Sequence, residues 1–441
     1  MKPTRLYQIC SPVILGIFLF INSNISIAQK VSVKVFPEIK RQKVVSIGGN
    51  YCQANYSDHA MDAVGEFTLN QFRPEYVRLA LPLQFTNLDY ADYKGEKIVQ
   101  QPVIVELLES MQKMKNEFGV KNFTISVWRV ADELVENPEK SSQRIIKPNS
   151  YDDVIDMIIS FLLRAKNEFG VEADYFSFNE SDGGWQTIFS PEATIKFIKK
   201  AGQRFEEAGL KTKFLWADTA QTKGTVDFAT LIKADQSIWK YLGPLCFHSW
   251  WSEEIPNNEF EKIAGLAKAF NKPVWCSELG FDAHAHKTKG MKATWDYGLR
   301  FAKISHRMMK YAEVEVSMYW TWQNNYSIMS GDTKNKYPSY YVTRHLTEYL
   351  NKGTQIVHSL SSDPDILTIS GIFPNGKKVL QIINMKNEQV DIEIEGFQSK
   401  ELKLISTTES NLWEEFLKVG KTKKGKTAVQ LKAQSVNTLV F

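Results

Sequence analysis

Lys115-Asn-Glu-Phe-Gly-Val120 recurs unchanged as Lys166-Asn-Glu-Phe-Gly-Val171 and, more loosely, as Phe205-Glu-Glu-Ala-Gly-Leu210. Each copy puts a glycine where a helix C-terminus calls for a left-handed residue. An apolar run follows within a few residues: Phe123 to Trp128, Tyr175 to Phe178 and Phe214 to Trp216. The stretches ahead of the glycines carry a helical period. Ile104, Leu107, Leu108, Met111, Met114 and Phe118 share one face, as do Ile155, Ile158, Phe161, Leu162, Ala165 and Phe169. Helix then strand, repeating at roughly 40 to 50 residues, describes parallel βα units.

Extending the repeat in both directions predicts strands at Val44–Gly48, Tyr76–Leu81, Phe123–Trp128, Tyr175–Asn179, Phe214–Asp218, Leu245–Ser249, Val274–Glu278 and Val314–Trp320. Eight such units close into a (β/α)8 TIM barrel. A doubly wound open sheet calls for a phosphate-binding turn after its first strand, and Gly48-Gly49-Asn50 is not a GxGxxG. Beyond about Lys352 the texture changes to short strands separated by turns such as Pro374-Asn375-Gly376. Those strands, at Ile356–Leu360, Ile366–Ile372, Lys378–Asn384, Val390–Ile394, Glu401–Ser406, Ala428–Leu431 and Thr438–Phe441, predict a small C-terminal β-sandwich. A strand at Lys30–Phe36 is expected to complete its sheet. The expected organisation is a signal peptide over 1–28, a strand segment over 29–43, the barrel over 44–352 and the sandwich over 353–441.

The signal peptide is read from a basic start (Met1 to Arg5), an apolar run from Val13 to Ile21 and a Ser26-Ile27-Ala28 cleavage site. The apolar run is too short to span a bilayer, and no later segment is apolar enough to do so, so a secreted or periplasmic protein is expected. Hydrophobic residues make up 43% and charged residues 24% of the 441, an ordinary globular composition. A net charge of +4 argues against nucleic acid as a partner. The only dense basic run, Lys421 to Lys426, reads as a solvated hairpin turn. Cys52, Cys246 and Cys276 lie beyond the signal and each ends a predicted strand, so buried free thiols are expected, with a Cys246–Cys276 bridge as the alternative. No CxxC pair marks them as a zinc site.

A (β/α)8 barrel does its chemistry at the C-terminal ends of its strands. Those ends read Asn50, Arg78, Trp128, Asn179-Glu180, Asp218, His248, Glu278 and Trp320. Glu180, on the fourth strand, leads into Ser181-Asp182-Gly183-Gly184, and Glu278, on the seventh, leads into Leu279-Gly280. The two carboxyls are expected to face each other across the barrel mouth at the separation of about 5 Å that double displacement at a sugar carbon needs. Glu180 then serves as general acid/base and Glu278 as nucleophile, their surroundings driving their proton affinities apart. Arg78 is placed to hold Glu278 charged, and Asn179 to bind a hydroxyl beside the reacting carbon. Aromatic residues make up 12% of the chain, and Trp128, Trp185, Trp250, Trp251, Trp320 and Trp322 fall at strand ends or in loops. Trp250 and Trp320 are the first choices for stacking on sugar rings, with Trp128 and His248 also expected to line the substrate site.

Phe176-Ser-Phe-Asn-Glu180, Pro273-Val-Trp-Cys-Ser-Glu278 and Met318-Tyr-Trp-Thr-Trp322 resemble the acid/base strand, nucleophile strand and final strand of the clan A glycoside hydrolases, the four-seven superfamily. The resemblance covers roughly residues 44 to 350. A sandwich that shares an N-terminal strand narrows it towards family 30, with family 39 as the near alternative. It implies a retaining β-glycosidase, with Trp320 flooring the subsite of the sugar that is cleaved. Two positions depart from the pattern. Ser181 stands where the clan often has proline, and Cys246-Phe-His-Ser-Trp-Trp251 lacks the sixth-strand tyrosine that touches the nucleophile, so His248 or Trp250 must fill its place.

The expected function is thus a secreted retaining β-glycosidase acting on an oligo- or polysaccharide, a monomer with no cofactor and no metal. Two other classes stay open. One is a carbohydrate-binding barrel that has lost turnover. The other is a metal-dependent hydrolase using Asp282-Ala-His284-Ala-His286, whose spacing resembles a ligand run but which has no third ligand in view.

Overall fold

The computed structural model describes residues 30–51, 61–84, 100–350, 352–399, 402–417, 421–423 and 425–441. The expected signal peptide and Cys52 lie outside the described residues.

Eight strands form a closed, all-parallel barrel: β2 (Ser46–Asn50), β3 (Tyr76–Ala80), β4 (Asn122–Val127), β5 (Tyr175–Phe178), β6 (Lys213–Thr219), β7 (Leu242–His248), β8 (Val274–Leu279) and β9 (Val316–Tyr319). Strand β9 closes the ring by pairing with β2, Ser46 opposite Val316. The helices that return the chain to the bottom of the barrel include α1 (Ala63–Phe72), α2 (Pro102–Phe118), α3 (Tyr151–Asn167), α4 (Pro191–Glu207), α5 (Thr225–Ile232), α6 (Asn257–Ala269), α7 (Trp295–Lys310) and α8 (Pro338–Tyr349). The face of α2 read from the sequence, Ile104 to Phe118, is the one buried. Gly119, Gly170 and Gly209 all take left-handed backbone angles, and the amides of Val120, Val171 and Leu210 turn back to Met114, Ala165 and Phe205. The first barrel strand starts two residues later than its apolar run. The Val44 amide bonds to Thr354, on the chain leaving the barrel, and the Val45 amide to Glu315, just ahead of β9.

The C-terminal part is one continuous ten-stranded sheet in the order β15-β14-β18-β12-β11-β10-β1-β13-β17-β16. Its strands are β1 (Val31–Lys43), β10 (Gln355–Ser361), β11 (Ile366–Ile372), β12 (Lys378–Asn384), β13 (Val390–Glu395), β14 (Lys403–Thr407), β15 (Glu414–Leu417), β16 (Lys421–Lys423), β17 (Lys426–Leu431) and β18 (Ser435–Val440). The sheet curls over a core of Val31, Val33, Ile382, Ile392, Ile394 and Leu439, which gives the expected sandwich. Its other face, with Ile356, Ile369, Val379, Ile383 and Val436, is buried in the same core as the barrel. Strand β1 lies mid-sheet, antiparallel to β10 and parallel to β13. Lys421 to Lys426 spans the β16–β17 hairpin.

Helices α7 and α8 carry the join between barrel and sheet. The Trp295 indole donates to Gln434 O at 3.0 Å. His345 is fully buried there between Thr438 Oγ1 at 2.8 Å and Thr407 Oγ1 at 2.9 Å. Burial, aided by the charge of Arg344, holds the His345 imidazole down at about 3. A histidine that is neutral when folded but takes up a proton near pH 6.5 when unfolded stabilises the fold fully above 6.5, and that stability is lost as pH falls towards 3. Between pH 7 and pH 4 the loss should reach roughly 3 kcal/mol. Urea unfolding at the two pH values, compared with His345→Gln, measures it. A variant that keeps the wild-type pH slope assigns the acid sensitivity elsewhere.

Candidate active site

Strand ends converge on one buried guanidinium. Arg78, from β3, donates through Nη1 to Glu278 Oε1 at 2.7 Å and to Asn50 Oδ1 at 3.1 Å. Its Nη2 donates to Asn179 Oδ1 at 2.6 Å and Ser126 Oγ at 2.9 Å, and lies 3.4 Å from Asp218 Oδ2. The cation rests over the Trp128 ring, 4.6 Å from its centre. A charge taken out of water needs this many partners, and here they come from five different barrel strands or the residues just after them. Ser177 and Ser277 hold Asp218 from the two sides, Ser177 Oγ at 2.6 Å. Burial opposes ionisation of Asp218, but Arg78 and His248 together draw its carboxyl far below the usual range.

Glu278 lies within β8 and is 3% exposed. Arg78 occupies its Oε1, while Oε2 accepts the Trp250 indole N–H at 3.0 Å and lies 3.3 Å from His248 Nδ1. Trp250 reaches this position because residue 280 is glycine: a Cβ there would come 2.3 Å from the indole ring. Glu180 follows β5 in a left-handed conformation, φ 46°, and opens a turn in which its carbonyl accepts the Gly183 and Gly184 amides. A residue with a long side chain held in that region stores about 1–3 kcal/mol, a kind of strain that clusters at working sites. Oxygens of Glu180 and Glu278 lie within 4.8 Å of each other.

His248 sits between them. Its Nδ1 donates to Glu180 Oε1 at 3.0 Å, and its Nε2 lies 3.4 Å from Asp218 Oδ1. Burial alone would lower its proton affinity; the Glu278 charge and the contacts to Asp218 and Glu180 outweigh that and push it up to about 10. Burial raises the Glu180 carboxyl, against the pull of the His248 bond. One carboxyl of the pair is thus biased towards holding a proton, as general acid chemistry requires. Glu180, His248 and Glu278 are also the one group of donor atoms among the described residues close enough to share a metal ion. In this structure the same atoms pair with one another, His248 Nδ1 lying 3.0 Å from Glu180 Oε1 and 3.3 Å from Glu278 Oε2.

The mouth above the carboxylates is a cavity of about 260 Å³ lined by Asn179, Glu180, Glu278, Trp128, Trp250 and Trp320, with Trp185, Trp251, His284, His286, Lys287 and Tyr326 among its rim residues. Arg78 and His248 are not among its lining. Both are fully buried and in contact with Glu278, Arg78 Nη1 at 2.7 Å and His248 Nδ1 at 3.3 Å. Asn179, which lines the cavity, accepts the Arg78 guanidinium on its side-chain oxygen. Trp320 and Trp128 stand together, ring centres 5.8 Å apart. Trp322 is fully buried, packed over Gly49 with Tyr51 and Phe72 around it. The loop histidines do not converge: His286 bonds the Tyr326 hydroxyl at 2.8 Å, while His284 lies edge-on to Trp251. Cys246 and Cys276 are buried and unbridged on neighbouring strands.

The sequence alone placed Asp218 at a strand end without giving it a part. Its importance comes from Ser177, Ser277, His248 and Arg78 meeting around it, and only the folded ring of strands brings those together. Both candidates for the missing tyrosine reach Glu278. Trp250 makes the hydrogen bond, and His248 bonds Glu180.

No family model matches the chain, and no curated protein matches it by sequence. Solved structures do resemble it. A family 30 endoxylanase from Clostridium papyrosolvens C71 superposes with a TM-score of 0.72 at 17% identity, covering 93% of this chain and 99% of that one. A family 30 subfamily 8 xylanase from Clostridium acetobutylicum gives 0.73 at 15% identity, with 93% and 99% covered. An endo-β1,6-glucanase gives 0.66 at 14% identity, with 93% of each chain covered. The chain has the barrel-and-sheet fold of these glycoside hydrolases.

Proposed function

We propose that the protein is an exported retaining β-glycosidase in which Glu278 is the nucleophile and Glu180 the general acid/base. The observation that carries the reading is the approach of the two carboxylates to within 4.8 Å. Retaining enzymes hold their pair about 5–5.5 Å apart, whereas inverting enzymes leave about 6.5–9.5 Å for a water between them. The fold shared with glycoside hydrolases supports the same reading.

In the first step Glu278 attacks the anomeric carbon while Glu180 passes its proton to the departing oxygen. This leaves a glycosyl ester on Glu278 and a charged Glu180. The His248 imidazolium, 3.0 Å from Glu180, lowers the cost of that new charge. Glu278 becomes neutral as it is esterified, and Arg78 is not then stranded, because Asp218, Asn50 and Asn179 still hold it. In the second step Glu180 takes a proton from water, which attacks from the face the leaving group vacated and frees Glu278. The Asn179 amide is available to the hydroxyl next to the reacting carbon, and Trp320 and Trp128 offer apolar faces to the ring.

Export rests on the basic, apolar and small-residue segments at the N-terminus. No described helix is long and apolar enough to cross a membrane.

The stereochemistry of the first product tests the mechanism. Proton NMR during cleavage of a β-linked glycan should show the β-anomer first, followed by mutarotation. An α-anomer first means inversion and rules the assignment out. Glycan binding in a calorimeter with no product from a broad panel of β-glycosides would instead identify a binding barrel.

A further inference from the structure

Of the eleven tryptophans in the chain, two are exposed among the described residues, Trp185 at 54% and Trp251 at 45%, and both line the same cleft. Their exposure is not that of loose loop tips. The carbonyls on either side of Trp185 are bonded: Gly184 O accepts the Gln143 amide and Gln186 O accepts the Arg144 amide, each at 2.7 Å. Arg144 is itself fully buried and bonded to Asp132 Oδ1, Pro138 O and Lys140 O. The backbone is clamped and the indole is left standing in solvent. Trp251 is held in the left-handed region, φ 52°, a strained conformation for so bulky a residue. Its amide donates to Phe281 O at 2.9 Å and its indole N–H to Asp282 Oδ1 at 3.2 Å. Two large flat apolar faces, fixed and open, mark a surface built for a ligand.

Their side of the cleft follows from the chemistry. Glu180 delivers a proton to the leaving oxygen, so the leaving part of the substrate lies on the Glu180 side. Trp185 stands on the loop that Glu180 opens, and Trp251 follows a segment that reaches both carboxylates, His248 bonding Glu180 and Trp250 bonding Glu278. Trp128 and Trp320 form a separate pair, beside Arg78.

We propose that Trp185 and Trp251 form a stacking platform for sugars on the leaving-group side, and that the substrate is a β-linked polysaccharide cut within its chain. The proposal rests on the glycosidase reading for its direction but not for the binding itself. Flat indoles stack on the C–H faces of successive pyranose rings, and each contact that survives into the transition state speeds cleavage of the polymer.

The test compares wild type with Trp185→Ala and Trp251→Ala on soluble β-1,4-xylan, β-1,6-glucan and β-1,4-glucan. The reference substrate is the β-fluoride of the disaccharide from whichever polymer is cut. Fluoride reaches no further than Glu180, so its departure makes no use of the platform. The ratio of kcat/KM on polymer to that on fluoride should fall about tenfold for each variant, and the first wild-type products should be several sugars long. A ratio that stays at the wild-type value overturns the platform, and single sugars released first overturn cleavage within the chain. Affinity electrophoresis through gels holding the same three polymers, in the Glu278→Ala background, separates this result from failure of the glycosidase reading. If nothing is cut, retardation that both tryptophan substitutions weaken still supports the platform. Retardation by none of the polymers, or retardation that the substitutions leave intact, overturns it.

Discussion

Glu278→Ala should lower turnover of an activated β-glycoside by roughly 10⁴- to 10⁶-fold, the scale on which removal of a covalent nucleophile is felt. The carboxylate it removes is the one whose two oxygens are held from opposite sides by Arg78 and Trp250. Truncation also opens a space on the α face of the sugar. Added azide should enter that space and release the α-glycosyl azide, restoring part of the lost rate. Glu180→Ala gives the mirror result. The glycosyl ester still forms from a substrate with a good leaving group, azide then attacks it from the β face, and the β-glycosyl azide appears. On a poor leaving group this second variant should lose about 10²- to 10⁴-fold, because proton delivery is what it lacks. Mass and NMR analysis of the two azides assigns each glutamate independently. The same azide anomer from both variants, or wild-type rates in either, refutes the assignment.

Arg78→Leu is the change expected to cost most in stability. It leaves Glu278 and Asp218 buried without their shared cation, 3% and 1% exposed, and it also strips donors from Asn50, Ser126 and Asn179. Breaking a buried pair by removing one partner typically costs about 3–5 kcal/mol, because the stranded charge stays behind. The carboxylates would be expected to take up protons, so the loss should be larger at pH 8 than at pH 5. Urea unfolding at both pH values measures this, and activity should vanish in the same variant. Arg78→Lys is the informative companion. A single ammonium replaces the charge but cannot fork to oxygens arriving from several strands, so stability should recover further than turnover. An unchanged unfolding midpoint for Arg78→Leu would show that the network is not what holds these strand ends together.

Much of the barrel is legible in the sequence because its signals are local. A periodic helix face, a left-handed glycine and an apolar run succeed one another within about one βα unit, as at Met111, Gly119 and Phe123. Glu180 and Glu278 are legible for the same reason, each ending or following such a run. What escapes is whatever depends on neighbours distant in sequence. Gly280 looks like an ordinary turn glycine until the indole of Trp250 is seen against it. Strand β15, Glu-Glu-Phe-Leu, carries no apolar alternation because it is a sheet edge with exposed Phe416 and Leu417, so period-based reading passes over it. Among the tryptophans the sequence gives the set but not the division. Trp322 fills the core while Trp185 and Trp251 stand in solvent, a difference of backbone turn rather than of residue type.

Strand β1 leaves the ribosome first among the described strands, yet its partners, β10 and β13, follow the whole barrel. Ser32 bonds the Ser362 side chain across 330 residues, and Val31 pairs with Ile392. At about 5–20 residues per second, some 15–65 seconds of synthesis separate β1 from the first of these partners. During that interval an apolar strand with two open edges must be shielded from pairing elsewhere. A chain broken anywhere before β13 never supplies that shield. Incomplete products should therefore be recognised and degraded as unfolded, even when the barrel has been synthesised in full.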